Sequence, residues 1–585
     1  MDRRRFMMTA TAAGAVASGP ALADAGADAK LAALLDQQAR ALRDEAGGQG
    51  RLRDYSLAGR AKARAASADR LAQLLRIDRT QLSPSSAIDY DTARFVHEAM
   101  VDQYGRYGFS DINLRPSPYV VSQMNGAYYW LPDGIGRAAV ASEQDAQRHL
   151  DRLSQFAAAL DQETEQTVHD AGLGVIAPGF ILDKTLAQLS RLRDAPAADN
   201  PLTGGPISRA RAAGLNDAAQ RIASAFDGQV KPALTRQIEA LKTLRPRADD
   251  HAGVWAKPDG AAYYASALGS NTTAALAPGE LHEQGKAWVA DLTARIDALL
   301  RQQGLTTGSI AERMSQLDED PRFLVPDSDA GREQILAYAR TCLTKVQALL
   351  PRAFNLIPND PVEVRRVPPA IENGSPGASY SGSDDPARLP AITINLRSVK
   401  ENALWRLPTL LHHEGVPGHH FQASVLKRAG ALSDFRRTVR FSAWTEGWAL
   451  YAEQLADEIG AYDDNPVGRI GYLQGQLFRA CRVVIDTGLH HARWPREQAI
   501  DWMVANAGEQ RDAAEREIDR YCVYPGQACS FMVGKQQIVA AREAARRRLG
   551  GRFDLRAFND LILASGPLPT KVLERMVEQW SPQPA

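Results

Sequence analysis

Four histidines and a glutamate fall within Leu411-His412-His413-Glu414-Gly415-Val416-Pro417-Gly418-His419-His420, in a chain of 585 residues with only 11 histidines. Zinc takes imidazole nitrogens and carboxylate oxygens as ligands, and a glutamate directly after a ligating histidine is placed to act as a general base. The spacing departs from the helical His-Glu-x-x-His pattern. Six residues separate His413 from His419, about 600° of rotation on an unbroken α-helix, so the two side chains would leave on different faces. His413 and His420 would share a face but lie about 10 Å apart along the axis, too far for two bonds of about 2 Å to one ion. The segment is therefore expected to break or bulge, and Pro417-Gly418 is the pair able to do it. A His-rich helix end at the surface is the plainer alternative.

A hydrolytic zinc centre uses three protein ligands and leaves one position open. His413 and His419 are the expected first two, with His420 taking the place of His419 if the break turns the chain further. The third is expected on the next helical stretch, Ser442 to Glu453, where Glu446 lies between Trp444 and Trp448. A carboxylate among tryptophans is costly to bury unless it is paired or bound to metal. Glu453, seven residues on and on the same face, is the expected partner or substitute. Glu414 is then free to take a proton from the attacking water and pass it to a leaving amine. The expected cofactor is one Zn2+ per chain, which lowers the pKa of a bound water from about 16 to near 7.

The elements that must hold these residues read as helices almost throughout. Apolar residues recur at helical spacing over Asp28–Arg76, Ala87–Gln103, Glu143–Ala171, Thr185–Arg193, Ile207–Leu244, Pro278–Leu299 and Gly331–Leu349. Beyond the His-Glu stretch the same pattern covers Phe441–Glu458, Gly468–Leu489, Arg496–Asn506, Glu509–Arg520, Gly526–Leu549 and Pro569–Gln579. The aromatic stretch Tyr119–Leu131 is placed as a packed loop able to line a cleft. Alternating, turn-bounded sequence is confined to Val362–Val367, Ala378–Ser381 and Ala391–Leu396. The expected fold is mainly α, with a small β-sheet beside the metal-binding helix. Ser379 and Tyr380 are placed on an edge strand able to pair with an extended peptide. The chain divides into an export segment over residues 1–23, a helical region over 24–350 and a catalytic region over 351–585.

Composition excludes several classes of function. Basic and acidic residues balance at 69 each, with 44% hydrophobic and 24% charged residues, so nucleic acid is not an expected partner. Past the N-terminus no apolar run reaches the roughly 18 residues of a membrane span. Arg3-Arg4-Arg5-Phe6, a mild Ala/Gly/Val stretch and Ala21-Leu22-Ala23 resemble a twin-arginine export signal with its cleavage site, which points to the periplasm or secretion. Cys342, Cys481, Cys522 and Cys529 form no CxxC pair, and buried thiols are expected for most of them.

His413-Glu414-x-x-Pro417-Gly418-His419-His420 followed by Glu446-Gly-Trp-Ala-x-Tyr451-Ala-Glu453 closely resembles the bacterial DUF885 family, a domain of unknown function placed among gluzincin metallopeptidases. Arg482-Val-Val-Ile-Asp486-Thr-Gly-Leu-His490 and Tyr524-Pro-Gly-Gln527 through Gly534-Lys535 look like further signatures of it. The resemblance implies a helical gluzincin-like fold, a zinc ion and hydrolysis of peptide bonds. It says little about substrate. A tetrahedral intermediate needs donors beside the metal, and His490, Tyr521 and Tyr524 are the candidates. Asp486 is a candidate to fix a histidine tautomer, and Arg482 to pair with Asp486 or grip a substrate carboxylate. The leading expectation is an exported zinc peptidase acting on peptides. The alternatives are a zinc amidase or deacylase acting on a non-peptide amide, and a periplasmic binding protein without turnover; the sequence does not determine oligomeric state.

Overall fold

Alternation of apolar and polar residues between positions 360 and 396 resolves into three four-residue strands: β1 (Glu363–Arg366), β2 (Ala378–Ser381) and β3 (Ala391–Ile394). Their order is β1-β3-β2, with β3 parallel to β1 and antiparallel to β2. The central strand is the apolar one, and Ala391, Ile392 and Ile394 are buried. β2 lies at the edge, its residues half-buried or exposed, and packs beside the helix Leu407–Glu414.

The computed structural model describes residues 25–47, 51–109, 115–369, 372, 377–383, 388–430 and 432–582. The export segment expected over residues 1–23 lies outside them. Everything else of substance among the described residues is helix, so the protein is mainly α with one small sheet. No helix among the described residues is long and apolar enough to cross a membrane. The sequence reading placed most of the helices, with two kinds of departure. Ile207–Leu244 is not continuous but divides into Gly204–Ala212, Asn216–Ala225 and Lys231–Leu244, the first break falling at Gly214 with φ of 77°. Gly260–Thr272, Ile310–Glu319 and Leu555–Ala564 are further helices, of 13, 10 and 10 residues, that the sequence reading did not place.

The helix Pro466–His490 is the centre of the packing and is buried along nearly its whole length. Its apolar residues face several directions, which suits a helix enclosed on all sides rather than one at a surface. Pro278–Gln302 runs along it, and His282 on that helix contacts Thr487 Oγ1 through Nδ1 at 2.8 Å. The four cysteines are buried free thiols.

Candidate metal centre

The helix that carries His413 ends at Glu414. The chain reverses through Gly415-Val416-Pro417-Gly418, in which the Val416–Pro417 peptide bond is cis, and a new helix begins at His419. Gly418 is required at the reversal. A Cβ there would lie 1.9 Å from the His413 carbonyl oxygen and 2.4 Å from that of His412, so only glycine lets the backbone fold back this closely. Trp448 holds the turn from outside by donating Nε1–H to the Pro417 carbonyl at 2.9 Å. The two extra residues thus replace one continuous helix by two abutting ends, with the imidazoles of His413 and His419 only 4.9 Å apart between ring centres.

Glu446 completes the group. One of its carboxylate oxygens lies 3.4 Å from His419 Nε2 and 3.7 Å from His413 Nε2, and the three candidate ligand atoms are all within 4.8 Å of one another. Ligands about 2.1 Å from one tetrahedral ion stand roughly 3.4 Å apart, so two imidazoles and a carboxylate at these separations fit zinc. Burial by itself would raise the Glu446 carboxyl, and the imidazoles of His413 and His419 beside it more than reverse that, holding it well below the usual range. Burial likewise disfavours a charged His413, but Glu446 and Glu453 outweigh it and raise the imidazole to about 9. The trio therefore favours a positive charge at its centre, whether proton or metal ion.

Glu453 occupies the other side of His413. Its carboxylate accepts from His413 Nδ1 at 2.8 Å and from Gln476 Nε2 at 2.8 Å, with its side chain fully buried. An ionised carboxylate only accepts, so His413 Nδ1 carries a proton, which leaves Nε2, facing Glu446 and His419, as the nitrogen that would bind a metal ion. Glu414 is half-buried next to His413, and no described residue forms a hydrogen bond or ion pair with its side chain. The helix bearing Glu446 and Glu453 is pinned by a close crossing with Ser530–Leu549. There a Cβ on Gly534 would lie 2.1 Å from the Ala443 carbonyl oxygen and one on Gly447 2.6 Å from the Gly534 carbonyl carbon. That crossing sets the Phe531 ring parallel to His413, 6.4 Å between centres.

Several expected residues are placed otherwise. His420 points away from the trio, toward the Asp360 carbonyl at 2.9 Å and Tyr380 Oη at 3.4 Å, because consecutive helical residues diverge by about 100°. Ser379 pairs its hydroxyl with that of Thr393 across the β2–β3 ladder. The three expected donors to a tetrahedral intermediate have their polar atoms committed elsewhere. His490 accepts from the Val254 amide at Nδ1 and donates from Nε2 to the Tyr521 carbonyl, and burial lowers it to about 4, so it is a neutral strut between two backbone segments. Tyr521 donates to Glu517 at 2.8 Å and Tyr524 to the Met124 carbonyl at 2.6 Å. Asp486 fixes no histidine; it accepts from Tyr264 Oη and from the Gly526 amide. Arg482 does not pair with Asp486 but stacks over Phe531, 4.1 Å from the ring centre.

Gln476 and Phe531 are supports that sequence reasoning passed over, and Trp448 was noted there only as a neighbour of Glu446. Gln476 sits on an apolar helix, and a buried glutamine there is a usable signal of a polar partner. Nothing in the spacing of Trp448 or Phe531 distinguishes them from ordinary core aromatics.

A mainly helical protein with a two-histidine, one-carboxylate cluster is the class that fold and site define. The chain belongs to the DUF885 family, described as bacterial protein of unknown function, whose model matches residues 37–577. A solved structure of a candidate lipoprotein from Colwellia psychrerythraea is 30% identical, with a TM-score of 0.90 over 95% of this chain and 99% of that one. A candidate lipoprotein of unknown function from Shewanella oneidensis shares the fold at 18% identity, with a TM-score of 0.65 over 94% of this chain and 100% of that one. No curated protein matches the chain.

Proposed function

We propose that this protein is an exported, zinc-dependent hydrolase of peptide bonds. The observation that carries the reading is the convergence of His413 Nε2, His419 Nε2 and Glu446 within ligand distance of one another, with the side chain of Glu414, adjacent to His413 in the chain, bonded to none of the described residues. A structural metal site needs no unbonded carboxylate at its edge; a hydrolytic one does. Bound there, zinc would act as a Lewis acid on the scissile carbonyl and make water acidic near neutral pH.

This chain's own residues do the rest. His413, His419 and Glu446 hold the ion, and Glu453 keeps His413 in the ligating tautomer. Glu414 removes a proton from the attacking water and returns it to the amine nitrogen as the C–N bond breaks. The β2 edge beside the His413 helix offers backbone groups to an extended chain, which favours a peptide over a small amide. Export rests on the arginine-led N-terminal sequence, and the neighbours' description as candidate lipoproteins agrees with it.

The test is metal analysis of purified protein joined to cleavage of a peptide library. About one zinc per chain and peptide products support the reading; a protein that binds no divalent ion overturns it.

A further inference from the structure

The helix Pro466–His490 presents Arg479 and Arg482, one turn apart, toward Arg520 on Arg511–Val523. Arg482 is 3% exposed and Arg479 is half-buried, and neither has a carboxylate within 4.0 Å among the described residues. The Nε of each is buried without a hydrogen-bond partner. Arg482 and Arg520 donate to the same Gln527 Oε1, at 3.4 and 2.9 Å, so the two guanidiniums lie within the sum of those distances. The carboxylate in the cluster is Glu517, 3.8 Å from Arg520 and already accepting from the Tyr521 hydroxyl. Among the described residues these three guanidiniums thus have one carboxylate within 4.0 Å, with Glu446 acting on Arg520 from farther away.

This cluster adjoins the metal centre. A Cβ on Gly475 would lie 3.5 Å from an Arg479 guanidinium nitrogen and 3.5 Å from Glu453 Oε2, the carboxylate that holds His413. Arg482 and His413 both pack on Phe531. Crowded like charges with unsatisfied donors are costly to bury, and the cost is relieved when an anion with two oxygens enters. Burial draws Arg482 below its ordinary value; Arg520 and Arg479 add to that, while Tyr521 and Glu517 oppose it.

We propose that Arg479, Arg482 and Arg520 form a carboxylate subsite for the free C-terminus of a peptide, so that the protein removes residues singly from that end. The inference rests on the hydrolase reading above and names its specificity. With the terminal carboxylate on the arginines, the last peptide bond lies toward Glu414 and the trio. Water adds its oxygen to the carbonyl carbon, the C–N bond breaks, and the proton passes through Glu414 to the departing amine, giving a shortened peptide and one free amino acid.

The test uses full-length zinc-loaded protein and N-acetylated peptides of varied terminal residue, each as free acid and as C-terminal amide. Single residues should be released, with kcat/KM about tenfold to a hundredfold higher for acids than amides, the range for a charged hydrogen-bonded contact. Internal cleavage first, or equal rates for acid and amide, overturns the proposal while leaving the hydrolase reading standing. Amides ending in glutamate or aspartate separate the sources of the carboxylate: turnover as good as that of the acids shows side-chain recognition and overturns terminal recognition. Arg520→Gln, at a partly exposed position, should raise KM for the acids and bring the acid-to-amide ratio toward one. A purely structural role would lower both rates, keep the ratio, and overturn the proposal. Calorimetry of the same peptides on Glu414→Gln protein reads the subsite without turnover. Acids should bind at least tenfold tighter than amides; equal binding overturns the subsite even if no peptide is hydrolysed, an outcome that by itself counts against only the hydrolase reading.

Discussion

His413 donates through Nδ1 to Glu453 at 2.8 Å, while its other nitrogen faces Glu446 at 3.7 Å. Both carboxylates belong to the helix Ser442–Glu458, two turns apart. One imidazole therefore spans two carboxylates of a single helix: one sets its tautomer and the other would share the proposed ion. Replacing Glu453 by Gln keeps a hydrogen-bond acceptor but removes the charge. Zinc affinity should fall about tenfold to a hundredfold, read by competition with a chelator, with helix content unchanged. Unaltered affinity would show that Glu453 only fills space.

Glu414→Gln removes the proposed base and none of the proposed ligands. The variant should keep about one zinc per chain and lose roughly a hundredfold to ten-thousandfold in peptide hydrolysis. Metal content and turnover measured on one preparation decide it, and wild-type activity in this variant would remove Glu414 from the mechanism.

Gly418→Ala places a methyl group where the His412 and His413 carbonyl oxygens already stand. Because those oxygens belong to the backbone, the turn must open and carry His419 away from Glu446. We expect a folded protein by circular dichroism that retains less than about a tenth of its zinc, since two of three ligands bind far more weakly than three. Full metal occupancy would place the second histidine ligand elsewhere.

His97, His149 and His490 are each lowered to about 4, chiefly by burial. The unfolded chain takes up these protons near pH 6.5, well before the folded protein does, so stability is present above that pH and drains away between about 6.5 and 4. Each group is worth on the order of 3 kcal/mol across that window. Both ring nitrogens of His149 are buried without a partner, so His149→Met sacrifices no hydrogen bond. Urea melts at pH 7.5 and 4.5 should show a smaller acid loss for that variant than for the parent; an identical loss would mean that His149 is protonated in the folded state.

Much of the site was legible from residue type and spacing. Two histidines out of helical register, with Pro-Gly between them, demand a broken helix, because no single α-helix presents residues six apart on one side. Glu446 and Glu453 at a seven-residue interval demand one face. The later motifs were read less well. His490, Tyr521 and Tyr524 were expected as donors at the reaction centre, whereas their polar atoms satisfy the backbone or Glu517. Their partners Val254 and Met124 are hundreds of residues away, and no local pattern reveals such pairings.

By itself, the sequence determined the mainly helical class, the place of the small sheet, and a break that brings a second histidine back toward His413. These follow from local periodicity, from proline and glycine, and from intervals measured along one helix. Tertiary structure alone decided which histidine of the adjacent pair, His419 or His420, faces Glu446, since that depends on how two helix ends abut. It also decided that Arg482 turns to Phe531, Gln527 and its fellow arginines rather than to Asp486. A side chain on a helix enclosed on every side has several neighbours within reach, and only the packing of the surrounding helices selects among them.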